Sequence, residues 1–239
     1  MPTNIPAKEL ARQNRLLASL PESELETIAS HLTPVDLDAG EELHAPEAAI
    51  DYAYFPTTAV LSMLATLENG DITEVAVTGN EGVSGVSGFL GKGTQPTRVV
   101  AQVAGNALRV PMRMVHERFE ECGDFQTVLL RYAQYLLAQL MQTAACNRLH
   151  SVDQQFGRWL LINDDTHPGD ELRMTHELLS QMLGCSRVSI SKTAKNFEKR
   201  GWITYTRGII KITNRPGIEA AVCECYAATM REYNRIFER

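Results

Sequence analysis

Ser186, Arg187, Ser189, Ser191, Lys192 and Lys195 place three hydroxyls, one guanidinium and two ammonium groups within ten residues, with no carboxylate among them. Every one of these groups can donate a hydrogen bond, and three carry a fixed positive charge. Arg187 can offer two parallel donors to N7 and O6 of a guanine, while the lysines and serines suit phosphate oxygens or base edges. The chemistry is recognition of a patterned polyanion rather than bond-making. The chain has no G-x-S-x-G and no P-loop, and its six histidines form no H-x-H or H-x-x-x-H pair. A zinc hydrolase or a metal-dependent barrel enzyme is therefore disfavoured.

The elements that must present these side chains are legible around them. Thr175 can cap a first helix by accepting a bond from an orphan amide one turn on. Leu178, Leu179, Met182 and Leu183 give that helix a buried stripe, and Gly184 ends it. Ser186 can cap a second helix, whose inward face is Ile190, Ala194 and Phe197. Arg187, Val188, Ser189, Ser191, Lys192 and Lys195 are left for the outside and the helix start. After Gly201, Trp202–Thr206 and Ile209–Thr213 alternate as strands around Arg207-Gly208. A hairpin there reads as a wing with Arg207 at its tip. Together these predict a winged helix-turn-helix whose second helix enters the major groove of double-stranded DNA. Residues 171–215 hold nine Lys/Arg and three Asp/Glu, a net of +6; the whole chain is −6, which leaves −12 for the rest. A basic island on an acidic protein is the charge pattern of a nucleic-acid-binding module. The competing reading is an ordinary helical hairpin with a solvated basic face.

The chain has 239 residues with 44% hydrophobic content, room for one large domain or two ordinary ones. No apolar run approaches the ~20 residues that a membrane helix needs, and the N-terminus lacks the basic and apolar regions of a secretory signal. A cytoplasmic protein with no membrane partner is expected. The five cysteines are odd in number and scattered, against a disulfide framework. The one close pair, Cys223-Glu-Cys225, could bind a metal or respond to oxidants but is read as two small core residues, with no metal and no cofactor expected. Residues 8–32 look helical, with Leu25, Ile28, Ala29 and Leu32 on one side. From Val35 to about Pro111 the period is two, with a hairpin signal at Asn69-Gly70 and glycines crowding 79–93. This predicts an antiparallel barrel or roll. From Phe125 to His150, Leu129, Ala133, Leu136, Leu140, Thr143, Asn147 and His150 recur at steps of four and three, a coiled-coil-type seam expected to pair two copies. Leu137, Met141 and Ala144 widen the stripe. A second helix over Val152–Ile162 and a linker at 164–170 lead into the helix-turn-helix.

A β-roll, a long dimer helix and a winged helix-turn-helix in that order resemble the Crp/Fnr family of bacterial transcription regulators. The resemblance covers nearly the whole chain and is strongest at Leu183-Gly-Cys-Ser-Arg-Val-Ser-Ile-Ser-Lys192. It implies an α+β chain with a roll and N-terminal helices at 1–124, a dimerisation helix at 125–150 and a DNA-binding domain at 151–239. It implies a homodimer on a palindromic operator. RNA polymerase and an unidentified small-molecule effector are further candidate partners. Ser186 and Arg187 match residues that contact phosphate and guanine in the family, and Ser189 a phosphate-contacting threonine. Lys192 stands where a base-reading arginine is common. Val188 replaces a glutamate that accepts from cytosine, so the operator should differ from that of the cyclic-AMP member. The nucleotide-binding members' Gly-Glu and Arg-Ser are missing: Val86 stands at the glutamate position and Gln95-Pro96 at the other. A buried cyclic phosphate would lack paired charge, so cyclic AMP is not the expected ligand. Ser84, Ser87, Gln95 and Arg98 are the candidates for an effector pocket. Two other classes remain open: a small-molecule-binding β-barrel protein, whose scattered catalytic candidates are Glu74, Glu81 and Arg98, and a regulatory subunit acting through protein contacts.

Overall fold

The computed structural model describes residues 7–91, 93–166 and 171–237. Three short helices come first: α1 (Ala7–Ala11), α2 (Arg15–Ala18) and α3 (Glu22–Ala29). The helical segment read at 8–32 is thus broken twice. Buried Asn14 sets the first break: its side-chain oxygen caps α2 by accepting from Leu17 N at 3.0 Å, and its amide donates to the carbonyls of Pro56 and Gly82. Leu25, Ile28, Ala29 and Leu32 are buried, as their spacing predicts.

Seven strands follow: β1 (Thr33–Leu37), β2 (Glu42–His44), β3 (Tyr52–Pro56), β4 (Val60–Thr66), β5 (Ile72–Thr78), β6 (Arg98–Val103) and β7 (Gly105–Pro111), with α4 (Val86–Leu90) between β5 and β6. They pair antiparallel in two sheets, ordered β1-β7-β3 and β2-β6-β4-β5, which make the expected roll. The Asn69-Gly70 signal does close the β4–β5 hairpin, where Gly70 N donates to Leu67 O at 2.9 Å. Phe55, Leu108 and Val110 are buried in one core with the flanking helices, while Leu61, Val99 and Ala101 fill a second between the sheets.

A helix absent from the sequence reading, α5 (Met112–Glu120), leads into α6 (Asp124–Leu149). Helix α6 lies along the roll. The side-chain amide of Gln139 accepts from Val77 N at 2.6 Å and donates to Val77 O, so it pairs with the edge of β5 as another strand would. Tyr132 presses on Gly82, where a Cβ would sit 2.3 Å from its ring. That contact accounts for one of the glycines crowded at 79–93.

The C-terminal part comprises α7 (Val152–Thr166), β8 (Leu172–Arg173), α8 (His176–Met182), α9 (Arg187–Lys199), β9 (Ile203–Thr206), β10 (Ile209–Ile212), α10 (Arg215–Glu219) and α11 (Cys225–Arg235). Asp164, Asp165 and Thr166 extend α7 past its predicted end, and the remaining linker positions 167–170 lie outside the described residues. Phe156 of α7 meets Phe197 of α9 edge-on at 5.1 Å. This core also takes in Leu64 from the roll, and Thr73 Oγ1 donates to Met182 O at 3.3 Å. The last helix returns the other way. Tyr233 and Ile236 enter the core of the roll, and Arg15 stacks 4.3 Å over the Phe237 ring.

One buried carboxyl joins the roll to α7. Glu74 accepts from the Trp159 indole at 2.8 Å and from the Ser62 hydroxyl. Burial pushes it up from 4.5 to about 7, outweighing both hydrogen bonds and the Arg158 charge. The folded chain then keeps a proton that the unfolded chain has given up above pH 4.5. Its contribution is greatest below that value, falls as pH rises towards 7 and is gone above it. Glu74→Gln should remove roughly 3 kcal/mol of this pH dependence, so denaturant unfolding should find the variant gaining on wild type between pH 5 and pH 8. Buried Glu81, also raised to about 7, keeps its own slope in both proteins.

Candidate nucleic-acid interface

The predicted recognition helix is α9. Ser186 caps it, accepting from Ser189 N at 3.2 Å, and Thr175 caps α8 in the same way from Leu178 N at 3.1 Å. Both hydroxyls therefore serve the backbone while remaining on exposed residues. Between the helices Gly184 turns the chain at φ +59°. Ile190, Ala194 and Phe197 are buried as expected, joined by Thr193. The opposite face is open: Arg187, Val188, Lys192 and Lys195 are exposed, Val188 at 79%, and with half-buried Ser191 they line one shallow surface.

Not every predicted contact is equally available. Ser191 Oγ lies 3.2 Å from His176 Nδ1, and the His176 ring packs edge-on against Tyr205 at 4.7 Å. Ser189 is half-buried with its hydroxyl 3.0 Å from that of Ser186. Arg187 Nε pairs with Glu177 at 2.9 Å. Two exposed groups in a high-dielectric setting hold one another only weakly. The pair orients the guanidinium and can yield to a stronger acceptor. Glu177, His176 and Tyr205 do not stand out in the sequence, because the first reads as a routine first-turn acid and the other two meet only through the fold.

The wing is present and larger than predicted. Strands β9 and β10 pair in register Ile209↔Thr206, and Arg207 and Gly208, at φ +52° and +77°, form the two-residue turn that suits the twist of a hairpin. Strand β8 adds a third member through Ile210↔Leu172. Arg207 is exposed at the tip.

Three of the four effector-pocket candidates already have partners. Ser84 Oγ lies 3.1 Å from His44 Nε2, whose ring burial holds at a pKa of about 4. Arg98 pairs with Glu42 at 2.7 Å, Gln95 donates to Thr97 O, and Ser87 sits half-buried in α4. The scattered catalytic candidates do not converge either. Glu74 faces Ser62 and Trp159, while Glu81 closes on Gly79 N at 3.0 and 3.1 Å.

Half of the predicted pairing seam is covered by the chain itself. Leu129, Leu136 and Thr143 are buried inside their own subunit, and Ala133, Leu140 and Asn147 are half-buried. The face read as intermolecular is the one α6 turns to its own roll and to α7. The outward stripe lies one residue on, at Leu130, Leu137 and Met141, which are 45%, 55% and 64% exposed. Between it and α11 runs a groove lined by Ala133, Ala138 and Ala228.

Comparison with known proteins agrees with this anatomy. Residues 154–221 match the family model of the Crp-like helix-turn-helix domain. No curated protein matches the sequence. Among solved structures, FixK2 from Bradyrhizobium japonicum is similar at a TM-score of 0.69 and 13% identity, covering 80% of this chain and 98% of its own. TTHA1359, a CRP/FNR-family transcriptional regulator from Thermus thermophilus, gives 0.63 and 18%, covering 79% and 97%. The c-di-GMP responsive global regulator CLP of Xanthomonas campestris gives 0.64 and 12%, covering 80% and 99%. The chain thus carries a Crp-like helix-turn-helix domain on the architecture of the Crp/Fnr transcription regulators.

Proposed function

We propose that this protein binds a twofold-symmetric operator as a homodimer and regulates transcription there, with a roll that does not hold cyclic AMP. The observation that carries the reading is the outward cationic face of α9, capped and backed by its own core, with Val188 at its crest. Arg187 and Lys192 are the base-reading residues, Lys195 and Arg207 the phosphate anchors, and the exposed capping residues Thr175 and Ser186 add phosphate contacts at the helix starts. A second copy packs through Leu130, Leu137 and Met141.

Against cyclic AMP stand Val86, buried in α4, and Arg98, already paired with Glu42. A cyclic phosphate in the roll would have to draw Arg98 away from Glu42 and would meet Val86 in place of a carboxylate for its ribose. Calorimetry with cyclic AMP should show no micromolar binding.

A gel shift on genomic DNA fragments, repeated across salt concentrations, tests the function. Each neutralised phosphate releases counterions, so affinity should fall steeply and log-linearly with salt. A protein whose helix-turn-helix is a protein-docking surface would show no shift at any salt.

A further inference from the structure

Four metal-ligating side chains converge where α6 ends and α11 begins. Cys146 and His150 stand one turn apart at the end of α6, Cys223 precedes α11, and Cys225 is its first residue. One ligand atom from each lies within 4.8 Å of all the others. The three cysteines are buried and His150 is partly so. We propose that Cys146, His150, Cys223 and Cys225 bind a single zinc ion tetrahedrally through three sulfurs and one imidazole nitrogen.

The edges of the cluster favour one ion. Zinc–sulfur bonds of ~2.3 Å and a zinc–nitrogen bond of ~2.0 Å give a tetrahedron with S···S edges of roughly 3.8 Å and S···N edges of roughly 3.5 Å. The structure has Cys146 Sγ 3.7 Å from Cys223 Sγ and Cys225 Sγ 3.4 Å from His150 Nδ1. A disulfide would need its sulfurs at ~2.05 Å. An iron–sulfur cluster spreads its cysteines over several iron atoms, farther than this set reaches.

The surroundings match what a metal site requires. With Nδ1 turned inward, His150 Nε2 faces the exposed Glu224 carboxylate at 3.6 Å, placed as the outer partner that a metal-bound imidazole commonly has. Gln142, one turn before Cys146, donates its amide to Cys225 Sγ at 3.0 Å and would stabilise the thiolate. Three thiolates, one neutral imidazole and Zn²⁺ leave a net charge of −1. Arg158, buried and held by the Thr143 hydroxyl at 3.2 Å one turn before Cys146, supplies a cation whose charge reaches Cys146 as well as Glu74. On binding, each thiol yields its proton to solvent and its sulfur lone pair to zinc, with no change of oxidation state. Zinc here would staple the end of α6 to the α10–α11 connection, where α7 begins the DNA-binding unit.

The test uses full-length protein purified without oxygen or added metal. Plasma mass spectrometry should find one zinc per chain, and titration of metal-depleted wild type with Co²⁺ should give the intense visible bands of tetrahedral cobalt with thiolate charge transfer. C223S and C225S, checked for fold by circular dichroism, should each weaken Co²⁺ affinity at least ~10-fold, and E224Q by ~10-fold or more. Cys122→Ser with Cys185→Ser should bind as wild type. The proposal is overturned by wild type that retains no metal and gives no cobalt bands, by an iron–sulfur absorbance, or by a Cys146–Cys223 disulfide in protein never exposed to oxygen. The wild-type titration decides the matter even if the cysteine variants fail to fold.

Discussion

Leu137→Glu should convert the protein to a monomer and weaken operator binding by roughly 10²- to 10⁴-fold, the advantage that a second linked contact confers. Leu130, Leu137 and Met141 form an exposed apolar run on α6, and Leu90 of the roll, 52% exposed, lines the same groove. Four of the eight large apolar side chains exposed among the described residues thus gather in one place. Scattered exposed leucines are ordinary on a soluble protein, but a contiguous patch rimmed by Arg231, Glu232 and Arg235 is the profile of an interface. A glutamate at its centre would bury unpaired charge in the pair and cost nothing in the lone subunit. Sedimentation and a gel shift read the two effects together. Leu129→Glu should instead unfold the roll, because Leu129 is fully buried within its own chain. A dimer that tolerates L137E would place the interface elsewhere.

Arg187→Ala and Lys192→Ala should each cost ~1–3 kcal/mol of specific binding, about 5- to 150-fold, and relax selectivity at the base pair each reads. Arg187 is expected to be the more costly, since a guanidinium offers two donors in a fixed fork and an ammonium does not. Its pair with Glu177 is surface-exposed and should be given up for a guanine at little cost. Lys195→Ala should weaken all sequences alike and lower the salt slope by about 1. Val188 carries neither charge nor donor. Its place at the crest of α9 predicts an apolar contact, such as a thymine methyl, and hence an operator unlike one read by a carboxylate at that position. Competition titrations with single-base variants of a selected operator check these assignments.

The helix-turn-helix was legible because its information is local. Caps at Thr175 and Ser186, a glycine between them and an apolar period within each helix lie inside a span of about two dozen residues. The roll was legible from alternation and turn residues. The seam legible in the sequence lies one residue from the exposed stripe because α6 carries two apolar stripes side by side. Leu129 and Leu136 cannot be told from Leu130 and Leu137 until the roll shows which it covers. Tyr132 on Gly82 and Gln139 on Val77 settle that rotation, and both are contacts between segments far apart in the chain. Helix α5 does not stand out in the sequence, although Met112, Val115 and Phe119 have helical spacing, because the strand period runs directly into it at Pro111. Strand β8 has two residues, too few for any period. Cys223 and Cys225 read as small core residues because their neighbour Cys146 is 77 positions away.

Selection of bound duplexes from random DNA tests the central claim most directly. The enriched sequence should be an inverted repeat whose half-site centres lie about 10–10.5 base pairs apart or a multiple of that, and R187A should lose that enrichment. A pool that stays random, or one enriched for a single asymmetric site with R187A selecting the same sequence, would contradict a twofold assembly reading DNA through α9.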